Sequence, residues 1–156
     1  MSELQRDVFR HRPRRRQRRR SLPGQLKLRK VGSADANLRG ILGVQSAYYG
    51  ITGLWPLIHY ESFEHVTGPK AERWLVETVS GLVTAIAGSL AISSRQPVVG
   101  RESLVLAAGS AVALGGIDIL YLARGRLRSV YSADAAAQGI FLARIVGSVY
   151  RRRTRA

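Results

Sequence analysis

The chain contains no cysteine, which excludes disulfides, thiolate metal sites and cysteine nucleophiles, and leaves its compartment open. It is also poor in acid: 10 Asp and Glu stand against 25 Lys and Arg, a formal charge of +15. No G-x-S-x-G, H-E-x-x-H or Walker-type glycine loop can be read anywhere, so no motif nominates an enzyme or a resident cofactor. With 156 residues and no internal repeat, one compact unit is the expectation. The most informative shortage is local, because charge is nearly absent from the middle of the chain and concentrated at its two ends.

The stretch at about 41–60, ILGVQSAYYGITGLWPLIHY, carries no formal charge. About twenty such residues at 1.5 Å each cross a hydrocarbon core of roughly 30 Å. Pro56 is expected to bend or end this helix. A polar, acidic-leaning segment follows, in which Gly68-Pro69 marks a helix start. A second apolar helix is expected at about 74–93, with Glu77 as its one charge, and a third at about 103–123, with Asp118 as its one charge. The fourth, at about 135–150, is shorter and contains Arg144. A soluble bundle needs a polar stripe on each helix, whereas SLVLAAGSAVALGGIDILYLA is apolar or small all the way round. The expected architecture is therefore an all-α polytopic membrane protein. It comprises a disordered basic tail over 1–38, four transmembrane helices within 39–150, and a basic end over 151–156.

Lys27, Arg29, Lys30 and Arg39 precede the first helix, and the positive-inside rule places that flank in the cytoplasm. Four spans return Arg151, Arg152, Arg153 and Arg155 to the same side. Arg124, Arg126 and Arg128 dissent, since this topology leaves them outside. Helices in lipid associate through small residues. Gly40, Gly43, Ala47 and Gly50, then Ser80, Thr84 and Gly88, then Ala107, Ala111 and Gly115, are the expected seams, which serve an intramolecular bundle or a homo-oligomer equally well. Trp55, Trp74 and Tyr60 fall where interfacial aromatics belong.

Ionisable groups inside a bilayer are costly and mark functional hypotheses. Glu77, Asp118, Tyr121, Tyr131 and Gln138 all fall toward the outer side and form the expected intramembrane polar cluster. Interhelical hydrogen bonding is its plainer role, and proton or cation handling by Glu77 and Asp118 its sharper one. Arg144 lies deeper and is expected to snorkel inward or to bond Gln45. His59, Glu61, Glu64 and His65 include metal-capable types but match no tight ligand spacing, and read as ordinary loop residues.

The run RHRPRRRQRRR resembles arginine-rich nucleic-acid-binding peptides in composition alone. No aromatic residue interleaves to stack bases, and Pro13, Pro23 and Gly24 argue for a disordered segment. Beside a membrane, Arg14, Arg15, Arg16, Arg18, Arg19 and Arg20 are expected to contact anionic lipid, each contributing on the order of 1 kcal/mol near the surface.

GVQSAYYGITGLWPLIHYESFEHVTGPKAERWLVETV and GIDILYLARGRLRSVYSADA, with a Q-x-x-Y-Y-x-x-T-G-L-W-P core and a V-T-G-P-K turn, resemble a family of small bacterial membrane proteins. The likeness spans about 43–150. It implies an inner-membrane protein of four helices with no assigned activity. In the family pattern Tyr131 and Asp134 precede an acidic position in the last helix, where this chain has Gln138 or Gly139, so no carboxylate mechanism and no catalytic residue carries over. The leading expectation is a non-enzymatic structural or accessory membrane protein. The alternatives are a small proton- or cation-linked transporter and a membrane-tethered nucleic-acid binder.

Overall fold

The computed structural model describes residues 33–154. The arginines of the expected lipid-contacting tail, Arg14, Arg15, Arg16, Arg18, Arg19 and Arg20, lie outside the described residues. The described chain is all-helical: α1 (Ser33–Ile58), α2 (Tyr60–Thr67), α3 (Arg73–Ser94), α4 (Arg101–Ala123) and α5 (Val130–Thr154).

Two of these helices, α3 and α4, are long and apolar enough to cross a membrane by length and composition. Little of either is covered by protein. Only Ser80, Ala87 and Leu90 of α3, and Ala107, Ala111, Gly115 and Asp118 of α4, are buried. The sequence expectation counted α1 and α5 as spans as well, yet neither meets the same measure. The stretch over 41–60 is charge-free but diluted by Gln45, Tyr48, Tyr49, Thr52 and four glycines and serines, and α5 carries Asp134, Arg144 and a terminal arginine cluster. Absence of charge and abundance of hydrocarbon are separate properties.

Helix boundaries also move. α1 begins at Ser33, inside the segment expected to be tail, with Asp35 in its first turn, where a carboxylate favours the helix dipole. Pro56 is accommodated near its C-terminus and the helix continues to Ile58. The acidic-leaning segment after it is not a simple loop but the short helix α2. Its N-cap is His59, whose Nδ1 accepts from the Ser62 amide at 3.3 Å. Trp55 ties α2 back to α1 by donating to Ser62 Oγ at 2.7 Å and by meeting Phe63 edge-on, ring centroids 5.8 Å apart. α5 runs 25 residues, from Val130 rather than from about 135, so the element that looked shortest is one of the longest.

α1 packs along α3 on one side and α5 on the other, α4 packs along α5, and α3 touches α4 lightly to close the ring. The ends are tied together. At one end Arg152 reaches Asp35 at 3.6 Å and donates to the Val99 carbonyl at 3.0 Å, bringing the start of α1, the end of α5 and the α3–α4 turn together. At the other end Arg128 donates to the His65 carbonyl at 3.0 Å, and Lys70 sits over the Tyr131 ring at 5.0 Å, linking α2 to the start of α5. The four long helices thus alternate in direction, and both described chain ends meet at one end of the bundle.

The α1–α3 seam is made by small residues. A Cβ added to Gly43 would lie 3.8 Å from Ser94 Cβ, and one added to Gly50 would lie 3.9 Å from Ala87 Cβ. Gly53, not among the expected seam residues, makes the closest approach: its added Cβ would sit 3.1 Å from the Ser80 carbonyl oxygen and 2.7 Å from Thr84 Oγ1. Ser46 donates to the Ala87 carbonyl at 2.7 Å in the same seam. Across from it, Gly115 of α4 faces Gln138 of α5. Gly40 and Gly88 have nothing within reach and belong to no seam of this bundle.

Candidate functional site: a buried polar network

Polar side chains gather where α1, α4 and α5 meet. On α1, Gln45 and Tyr49 are one turn apart, and both are completely buried. Gln45 Nε2 donates to Tyr49 Oη at 3.1 Å and to the Ala107 carbonyl of α4 at 2.9 Å. The Tyr49 hydroxyl passes its own proton on, donating to Gln138 Oε1 of α5 at 2.7 Å. Gln138 Nε2 then donates to Asp134 Oδ1, one turn back on α5, at 3.0 Å. That oxygen also accepts from the Tyr48 hydroxyl at 2.7 Å. The chain of donors is directional, and each of its members is fixed by the next.

Asp118 of α4 closes the network. It is 6% exposed and stands one turn beyond Gly115, which faces Ala135 and Gln138, so on these antiparallel helices its carboxyl comes level with that of Asp134 and close to it. Its Oδ2 is buried without a hydrogen-bond partner. Neither ion pair among the described residues involves Asp118 or Asp134. The rings of Tyr48, Tyr49 and Phe141 pack at centroid separations of 5.8 to 6.4 Å and seal one side of the network with hydrocarbon.

Of the expected cluster, Asp118 and Gln138 are brought together and the other three are not. Glu77 turns along its own helix to pair with Arg73 at 2.8 Å, as an exposed i, i+4 contact on α3. Tyr121 lies under the Arg124 guanidinium, 5.5 Å from its ring centroid, and Tyr131 under Lys70. The pairing of Glu77 with Asp118 assumed that equal depth implies proximity. The ring order α3–α1–α5–α4 puts those two helices in their lightest contact, and Asp134 takes the place assigned to Glu77. Sequence reading missed Gln45, Tyr48, Tyr49 and Asp134 as site residues. The signal was available in the helical spacing: Gln45 with Tyr48 and Tyr49, and Asp134 with Gln138, are i, i+3 or i, i+4 sets of polar groups within single helices.

Two further expectations are corrected. Gln45 does not bond Arg144: its Nε2 donates to Ala107 and Tyr49, and its Oε1, the atom a guanidinium would need, is buried without a partner. Arg144 is exposed and lines a groove of ≈ 730 Å³ between α1 and α5, together with Arg151. His59 and Glu64 serve α2 rather than standing free in a loop, His59 as its cap and Glu64 by accepting from the Lys70 amide at 3.0 Å. Among the described residues no three potential ligands converge on a metal-sized site. Two of the three dissenting arginines also find local partners. Arg128 satisfies the last carbonyls of α2 and packs on Gly68, whose φ of 92° lies in the region that favours glycine, and Arg124 stacks on Tyr121.

No family model, curated protein or solved structure matches the chain.

Proposed function

We propose that the chain is a small integral membrane protein, structural or accessory in role and not an enzyme, whose four long helices all lie within the bilayer. The observation that carries this reading is the inverted distribution of polarity. Large apolar side chains point outward along every long helix: Val44 and Ile51 on α1, Leu82 and Ile92 on α3, Val105 and Ile117 on α4, and Ile140 and Val146 on α5 are each 55% exposed or more. Polar side chains point inward, with Gln45, Gln138 and Ser148 at 2% exposure or less. In water such a surface is an aggregation liability; in lipid it is the required one.

The alternation of helices fits both basic ends lying on one face of the membrane, the cytoplasmic face of a bacterial inner membrane by the positive-inside rule. Arg124 and Arg128, engaged with an aromatic ring and with helix carbonyls, are the arginines best able to remain on the opposite side. The amino-terminal arginines then lie beside anionic lipid, the partner we favour over nucleic acid because stacking groups are missing from the run. The resemblance to small bacterial four-helix membrane proteins points the same way.

Carbonate extraction of bacterial membranes, with reporters fused to the carboxy terminus, tests this reading. The expected result is retention in the membrane pellet with a fluorescent cytoplasmic reporter and an inactive periplasmic one. Release into the carbonate supernatant overturns the membrane assignment, and an external carboxy terminus overturns the four-span topology. A proton-linked role is the second reading, favoured by the buried carboxyl of Asp118.

A further inference from the structure

We infer that Asp118 and Asp134 form a proton-binding site, holding a single proton between their two carboxyl groups at the junction of α1, α4 and α5. This deepens the second reading of function and rests on it.

The hydrogen-bond directions place the proton. Asp134 Oδ1 accepts from both Tyr48 Oη, at 2.7 Å, and Gln138 Nε2, at 3.0 Å, so that oxygen acts as an acceptor only, as in a carboxylate. Asp118 meets Asp134 carboxyl to carboxyl, and two carboxylates bring four acceptor oxygens and no donor to such a contact. A hydrogen bond between them requires one proton. The titratable groups around the pair are Tyr48 and Tyr49 of α1; Tyr48 already donates to Asp134 Oδ1 and Tyr49 to Gln138, so neither hydroxyl supplies the proton between the two carboxyls. α3 offers only Glu77, paired with Arg73, and no lysine or arginine forms an ion pair with either aspartate among the described residues. With no cation to offset them, two negative charges in contact, that of Asp118 buried and that of Asp134 half-buried, are unfavourable, whereas one shared charge with two donors is tolerated.

A metal cation fits the same place poorly. Tyr48 and Gln138 present O–H and N–H groups to the pair, and a hard cation needs six or so oxygen ligands. Asp118 Oδ2 is buried and receives no donor, so an ionised Asp118 would leave that oxygen unsolvated, a cost that a proton on this carboxyl removes.

The test is infrared spectroscopy of the full-length protein reconstituted in phosphatidylglycerol-containing vesicles at neutral pH. The protonated-carboxyl stretch is read with and without carboxyl-13C aspartate. The wild type is expected to show a single protonated carboxyl per chain, shifted by the aspartate label, which separates it from any glutamic acid. Asp118→Asn is expected to abolish the band while keeping the bundle intact, since the amide supplies the donor that the shared proton supplied. Asp134→Asn is a second route to the same loss. Absence of the band in the wild type, its insensitivity to the label, or its persistence in Asp118→Asn overturns the proposal. Asp35→Asn, which removes the other buried aspartate, is expected to keep the labelled band; its loss there overturns the proposal even where a variant at Asp118 or Asp134 fails to fold. A chain that shows the band but is extracted by carbonate retains the proton site and loses the membrane assignment, so the two failures are distinct.

Discussion

Gly115 of α4 and Gln138 of α5 approach so closely that a Cβ added to the glycine would lie 2.9 Å from Gln138 Cβ. Because Cβ is fixed to the backbone, the conflict cannot be relieved by turning a flexible side chain, and the helices must part. The same residue, Gln138, receives the Tyr49 hydroxyl and positions Asp134, so the seam and the polar network share one hinge point.

Gly115→Ala is therefore expected to destabilise the bundle by about 1 to 3 kcal/mol, the range for overpacking a close contact. Gly109→Ala, on the same helix with nothing within 4 Å, is the matched control and is expected to be neutral. Thermal unfolding of the two variants in the same detergent checks the difference, and equal midpoints would contradict the seam.

Tyr49→Phe removes a donor that joins α1 to α5 and leaves Gln138 Oε1 buried without its partner. Interhelical hydrogen bonds in membranes average about 0.6 kcal/mol with a maximum near 1.7. The expected loss lies toward the upper end because both groups are fully enclosed. Gln138→Leu removes both groups' need at α5 but strands the Tyr49 hydroxyl, so the two substitutions together should cost less than their sum. A double-mutant cycle measures the coupling.

Glu77→Gln should leave the unfolding midpoint unchanged, since Glu77 makes only an exposed contact with Arg73. Asp118→Leu, in contrast, is expected to lower it markedly by leaving Asp134 beside an apolar group. Comparable effects at the two positions would restore the pairing of Glu77 with Asp118.

At the α2 end, Gly68→Ala forces an alanine into a φ of 92° and brings its Cβ to 3.1 Å from Arg128 Nε. With ψ at 160° this is a region essentially confined to glycine, and the backbone strain alone is about 1 to 3 kcal/mol. The expected consequence is local: faster amide exchange across Tyr60–Thr67, with protection of α3 and α4 unchanged. Arg128→Ala should act in the same direction by releasing the carbonyls of His65 and Val66.

The sequence by itself determined the all-helical character and the positions of α3 and α4, because a run of apolar residues long enough to cross a bilayer is a local property that needs no partner to be recognised. It determined as well which ends carry the positive charge, and that the helices would meet through small residues. α2 escaped notice because its helix depends on contacts from outside itself: the Trp55 indole at its start and the Arg128 guanidinium at its end. Helical spacing groups the polar residues within α1 and within α5, but which of these groups meet across helices was decided by tertiary structure. Depth along a helix can be counted from the sequence, but angular position around the bundle depends on which helices are neighbours. That order sets Asp118 against Asp134 and sends Glu77 to Arg73, and no periodicity within a single helix encodes it.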